Sequence, residues 1–349
     1  MDLLLLLTLA AVLIVLVFDY TNGFHDAANI IATVIASRAM QPIQAVLLVG
    51  VFEFLGPLLG GTAVANTIGK FVDLSDLEPL MALTILLSGL GGAIAWNLIT
   101  WAKGIPSSSS HALVGGLIGA ILLAVDASHV VWGAEQLLRH GHLTGVMKVL
   151  LALILSPIIG FWVGFALHRM LALVFRAATP RLNRKLRWAQ YFTAAGLAFS
   201  HGANDAQKSM GILTLVLLLG GFIQEFQVPF WVMLACASAL TLGILSGGWR
   251  IVRTLGFAIY KVRPLHALDS QLASAGVILA ASVAGAPVST THVVASSIMG
   301  IGASERPRAV RWGKAVEIAM TWMITIPASA LMGAILFAFV QALIRRGQL

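Results

Sequence analysis

The sequence predicts an all-α polytopic membrane protein of two inverted repeats, with discontinuous, re-entrant half-helices and about ten to twelve membrane segments. Three observations predict it: charge is scarce, apolar runs recur along the whole chain, and the two halves repeat the same blocks in the same order. Of 349 residues, 59% are hydrophobic and only 10% charged, against roughly 25% charged in soluble domains. The mean hydropathy is +0.93. A soluble chain of this length covers its surface with charge; this one lacks the charge to do so, and lipid must be its solvent.

The apolar runs come in order. Leu3–Phe18 opens the chain without a basic n-region or a small-residue cleavage site, and reads as a first membrane helix rather than a removed signal. Leu80–Trp101, Val149–Leu167, Val228–Gly248 and Ile318–Ile344 follow. Each reaches or approaches the ~20 residues a helix needs to cross the hydrocarbon core. The single Cys236 excludes a disulfide framework and a four-cysteine metal site.

The net charge of +8 sits in loops between apolar runs, where it sets membrane orientation rather than nucleic-acid binding. Arg169, Arg176, Arg181, Arg184, Lys185 and Arg187 crowd the middle of the chain, and no acid lies between Glu135 and Asp205. This places the central loop in the cytoplasm. The basic stretch Arg250–Arg263 belongs there too, whereas Asp2 and the acidic loop Asp73–Glu78 fit the outside. Arg345 and Arg346 pull the C-terminus inward, against the repeat, and two terminal charges are the weaker signal.

Three blocks repeat. Gly23–Asn29 (GFHDAAN) matches Gly202–Lys208 (GANDAQK), Gly60–Gly69 (GGTAVANTIG) matches Gly247–Gly256 (GGWRIVRTLG), and Gly104–Gly119 matches Gly285–Gly300, at offsets of 179, 187 and 181. The expected organisation is a first repeat over 1–170, a basic cytoplasmic loop over 171–188 and a second repeat over 189–349. With the N-terminus outside and the central loop inside, each half has an odd number of crossings, so the second half is inverted. That is the architecture of secondary transporters, with the site near the midplane between the repeats.

Charges within apolar runs are few: Asp19, Asp26, Glu53, Asp205 and Lys208, with Lys148 and Glu317 near run ends. Such residues face a cavity and mark a substrate or ion path, because an unpaired charge in lipid is costly. Asp26 and Asp205 hold equivalent places in the two repeats; a structural ion pair is the plainer alternative for either one. The second constellation is Ile105–His111 (IPSSSSH) and Ala286–His292 (APVSTTH). Proline suits a first helical turn and Ser or Thr its cap. Each block therefore reads as a helix start inside the membrane, whose free N–H groups and hydroxyls favour an anion. Ordinary capping is the alternative. His111 and His292, just after the clusters, are candidates to donate to that anion or carry protons.

On these blocks the chain resembles the PiT family of inorganic phosphate transporters, over nearly its whole length. Its GFHD opening and HGANDAQKSMG block look like the bacterial low-affinity Pit subgroup. The resemblance implies a multi-pass symporter of the bacterial inner membrane with a central phosphate site, and no enzyme. It implies that Ser108, Ser109, Ser110, Ser289, Thr290 and Thr291 line the anion site. It implies that Asp26, Asn29, Asn204 and Asp205 serve the substrate and coupling-ion region, with Glu53 at a functional glutamate position. Three departures stand out: His25 and Lys208 replace asparagines, and Gln271 stands where a second glutamate is expected. Each removes an oxygen ligand that a sodium ion would need.

The substrate expected is inorganic phosphate, free or as a metal complex (Mg²⁺), moved with H⁺; Na⁺ coupling and sulfate are the alternatives, and homo-oligomerisation is left open. Phosphate can bring a proton to Asp26 or Asp205, and sulfate cannot. The coupling set is His25, Asp26, Asn29, Glu53, Asp205, Lys208, His111 and His292, with no resident cofactor or metal. Asp205 and Lys208, three apart, share a helix face, which leaves Asp26 beside His25 as the free carboxylate. An intramembrane lipid phosphatase would need an asymmetric nucleophile and base, where the sequence shows symmetric pairs.

Overall fold

A computed structural model describes residues 3–247, 251–252 and 254–346. The described residues form twelve α-helices of seven residues or more and no strand, only an isolated antiparallel bridge between Val72 and Val130. In the first half these are α1 (Leu3–Ala36), α2 (Pro42–Leu59), α3 (Ala63–Gly69), α4 (Pro79–Ala102), α5 (Ser109–Ala124), α6 (Ala134–His140) and α7 (Gly145–Val174). In the second half they are α8 (Leu182–Leu219), α9 (Phe230–Ser246), α10 (Pro264–Val283), α11 (Thr290–Glu305) and α12 (Trp312–Arg345). A π-helical turn, Thr254–Ala258, stands where the first half has α3. Asp2, Gly248, Arg250 and Arg253, which entered the orientation and repeat arguments, lie outside the described residues, as do 347–349.

Five helices, α1, α2, α4, α7 and α12, are long and apolar enough to span a bilayer. Their outward faces carry Leu13, Leu47, Ile154, Trp162, Leu331 and Phe339, all exposed. A water-soluble fold would bury such side chains; here they meet acyl chains, which are as apolar as they are. The polar residues turn inward instead, as with Ser270, Gln271 and Ser274 of α10. The first apolar run ends at Phe18, yet α1 continues unbroken through the GFHDAAN block to Ala36. The basic central segment is likewise more helical than loop-like. Only 175–181 connects α7 to α8, because 171–174 completes α7 and 182–188 already winds into α8.

The halves are exchanged rather than side by side. α1 packs on α9 while its repeat mate α8 packs on α2; α5 packs on α12 while its mate α11 packs on α7. Glycine permits the first exchange. A Cβ on Gly23 would sit 2.0 Å from the Leu240 carbonyl oxygen, and one on Gly202 would sit 2.3 Å from that of Glu53. Where α2 breaks before α3, Gln207 of α8 fills the gap: its Oε1 accepts from the Val64 amide at 2.8 Å and its Nε2 donates to Gly60 O at 3.2 Å. This satisfies groups a helix end leaves open. α4–α5 and α10–α11 are two re-entrant hairpins whose tips, Gly104 (φ 66°) and Gly285 (φ 62°), adopt the left-handed conformation glycine tolerates. A cleft of about 840 Å³ separates α7 from α10 and is apolar apart from Lys148 and Ser156.

Candidate functional site

The two hairpins bring their helix starts together at the centre of the molecule. Ser108 caps α5, its hydroxyl accepting from the His111 amide at 3.2 Å; Ser289 caps α11 in the same way, accepting from His292 at 3.3 Å. The prolines are not in the first turns as expected. Pro106 and Pro287 lie two residues before the caps. They shape the extended approach, where a missing N–H costs nothing, and the Pro106 carbonyl accepts from Trp322 Nε1 at 3.3 Å. The amides of residues 109–110 and 290–291 occupy first-turn positions, where a helix supplies no carbonyl. Six hydroxyls, all buried, surround these two positive helix ends.

Two long helices carry the charges. On α1, His25 Nδ1 lies 2.8 Å from Asp26 Oδ1. A carboxylate only accepts, so the nitrogen facing it carries the proton. His25 Nε2 then faces the hydroxyls of Thr100 and Ser107, at 3.3 and 3.2 Å. Asp26 is far from free, contrary to the expectation from sequence. Ser109 and Thr290 donate to its Oδ2 at 3.4 Å each, and Thr291 donates to its Oδ1 at 3.2 Å. Asn29 Nδ2 donates to Thr291 Oγ1 at 2.9 Å, and its Oδ1 has no partner.

On α8, Lys208 spends its ammonium on three acceptors: Asp205 Oδ1 and Ser110 Oγ at 2.6 Å, and the Val288 carbonyl at 2.9 Å. An ammonium has three donors, so this cation is fixed between the two hairpins. The Thr290 hydroxyl also lies 3.3 Å from Asp205 Oδ2, so its single proton serves one aspartate or the other. Asn204, the repeat mate of His25, ties down the second hairpin. Its Nδ2 donates to Ser282 Oγ and Ala286 O, and its Oδ1 accepts from the Val288 amide.

One central residue was not singled out from sequence. His201 Nδ1 lies 2.6 Å from Glu53 Oε1, while Nε2 sits between the two aspartates, 3.6 Å from Asp205 Oδ2 and 4.0 Å from Asp26 Oδ2. The available signal was its i, i+4 spacing to Asp205 within the HGANDAQKSMG block. Asp26, His201 and Asp205 could together hold a cation that arrives with an anion, since their ligand atoms lie within 4.8 Å of one another. His111 and His292 stand behind the hydroxyls. Their rings approach to 4.6 Å, and His292 stacks on Trp322 at 3.8 Å. Gln271 is away from this cluster, donating to Thr33 at 3.1 Å.

The arrangement can replace an oxyanion's water with hydroxyls and two helix starts, beside an ammonium whose own N–H groups are already bonded. Its carboxylates would repel that anion unless protons lie between them. The phosphate transporter family matches this chain twice, over residues 22–189 and 172–333. A protein of Bacillus subtilis named "Probable low-affinity inorganic phosphate transporter" is 43% identical over 340 residues, covering 97% of this chain and 98% of its own. One of the same name from Rhizobium meliloti is 40% identical, covering 95% and 96%. A solved structure titled "The sodium-dependent phosphate transporter" shares the fold, with a TM-score of 0.83 at 23% identity over 96% of this chain and 99% of that one.

Proposed function

The chain belongs to the phosphate transporter family, and from that premise we propose that it imports inorganic phosphate by symport with protons across the bacterial inner membrane. It is a multi-pass membrane protein; the basic connection between α7 and α8 faces the cytoplasm in this reading. The observation that carries proton coupling is the Lys208 ammonium, bonded at once to Asp205, Ser110 and Val288. A tethered cation stands there in the role a bound metal ion would take, and it cannot leave with the substrate. The exchangeable charge falls to Asp26 and His25, whose shared proton bridges 2.8 Å.

Phosphate fits this site better than sulfate. A phosphate that still carries a proton donates it to Asp26 or Asp205 and is held as an acceptor by the hydroxyls and helix starts. Sulfate brings no proton and meets two carboxylates. A metal–phosphate complex is accommodated by the same Asp26–His201–Asp205 group.

The test is uptake of labelled phosphate into proteoliposomes under separately imposed pH and sodium gradients. Uptake is expected to follow the pH gradient and to be indifferent to replacing sodium with choline. Strict sodium dependence with no response to pH would sink the coupling and leave phosphate as substrate.

A further inference from the structure

Asp19 is a buried carboxylate that the anion site does not use. It lies on α1 two turns before Asp26, fully buried, and neither of its oxygens has a hydrogen-bond partner. Beside it on the helix, Asn22 is 1% exposed with both amide atoms unpartnered, and across the interface the Ser209 hydroxyl of α8 is 0% exposed and unpartnered as well. The Ser209 hydroxyl and the Cys236 thiol of α9 are turned toward the Asp19 carboxylate, and Asp205 and Glu53 are the charged groups beyond them.

An ionised carboxylate in such a place needs a cation or several donors. The cations nearby are committed. Lys208 has spent all three N–H groups, and His201 bonds Glu53. The remaining charged neighbours, Asp205 and Glu53, are acids and offer Asp19 no counter-charge. The repeat makes the vacancy plain. Asn22 holds the position equivalent to His201, and where α8 and α2 close on a histidine–glutamate pair, α1 and α9 close on an acid with no base.

We propose that Asp19, with Asn22 and Ser209, is a proton-binding site of the transport cycle, separate from the anion site. Ser209 lies one turn from Asp205 on the same helix and faces Asp19. The inference rests on proton coupling and adds to it where a proton waits.

Two measurements on the full chain test it. Infrared spectra of the purified protein at neutral pH should show a protonated carboxylic acid band that shifts in heavy water, disappears in Asp19→Asn and moves in frequency in Asp19→Glu. In proteoliposomes, Asp19→Asn should abolish phosphate accumulation driven by the pH gradient. Phosphate–phosphate exchange, which moves no net proton, should persist. A parent indifferent to the pH gradient would defeat proton coupling itself. A parent driven by the gradient with an Asp19→Asn variant driven equally well would overturn only the role given to Asp19. Absence of the band in the parent, or its persistence unchanged in both variants, overturns the site whatever the uptake shows and whether or not Asp19→Asn folds.

Discussion

Residues 23–29 of α1 and 202–208 of α8 are related by the repeat and give their equivalent aspartates different partners. On α8 the acid is closed: Asp205 meets Lys208 at 2.6 Å, and that ammonium also binds both hairpins. On α1 the position of Lys208 is Asn29, an amide with an unpartnered oxygen, and the position of Asn204 is His25, whose Nδ1 lies 2.8 Å from Asp26 Oδ1. Backbone symmetry is kept, since both segments cross the partner repeat at a glycine and both address a hairpin tip. The chemistry is not kept. One half holds a lysine–aspartate ion pair and the other a histidine–aspartate pair. A symmetric scaffold thus sets two different partners beside its two equivalent aspartates.

The strongest way to break this comparison is to make α8 resemble α1. Lys208→Asn leaves Asp205 buried without its cation, and losing one partner of a buried pair costs about 3–5 kcal/mol. The thermal midpoint of the purified variant should fall well below the parent's, and pH-driven uptake should be largely lost. Sodium chloride should raise the variant's midpoint more than choline chloride does, because the place vacated by the ammonium now offers amide and carboxylate oxygens to a small cation. The parent should show no such difference. Equal midpoints for parent and variant would mean that the pair contributes nothing.

A smaller effect tests whether the two hairpins serve the anion equally. Ser109 and Thr290 both donate to Asp26 Oδ2 at 3.4 Å from equivalent first turns. Ser109→Ala and Thr290→Ala should each weaken phosphate binding by about 1–3 kcal/mol, if each hydroxyl bonds the charged ligand. Calorimetric titration of the detergent-purified protein measures this. Parental affinity in both variants would put the anion elsewhere.

Much of the fold was legible because the repeat is written in residue types that recur: acids inside apolar runs, hydroxyl clusters after proline, paired glycines. The positions of Asp26, Asp205 and the six hydroxyls at one centre follow from that symmetry together with the inversion. What the sequence concealed was asymmetric or long-range. His201 meets Glu53 across 148 residues, and nothing local to either residue announces the other. Asp26 looked free because its hydroxyl donors are distant in sequence, Ser109 lying 83 residues on and Thr290 and Thr291 in the other repeat. The prolines misled for a local reason: proline also fits an extended segment ahead of a cap, and periodicity does not separate that from a first turn. Asp19 was visible as an intramembrane charge, but its lack of partners is a property of three packed helices.

The finest comparison lies at the hairpin tips. Thr67 Oγ1 donates to the Gly285 carbonyl at 2.7 Å, and Thr254 Oγ1 donates to the Gly104 carbonyl at 3.0 Å. These threonines are repeat mates, so each repeat latches the tip of the other. The latches differ in one respect. Lys148 Nζ donates to Thr67 Oγ1 at 3.2 Å, and Gly285 is close enough that an added Cβ would lie 3.3 Å from the same nitrogen. The first latch is therefore a chain of two hydrogen bonds. Thr67→Val removes both, and each bond contributes about 0.5–1.5 kcal/mol. Thr254→Val removes one. Amide hydrogen exchange should therefore rise several-fold at 284–288 in Thr67→Val with 103–105 unchanged, and rise less at 103–105 in Thr254→Val with 284–288 unchanged. Independent opening of the tips is what a transporter needs to expose its site to one side at a time, since each latch then governs one route. If either variant loosens both tips together, the hairpins move as one body and the latches are not separate gates.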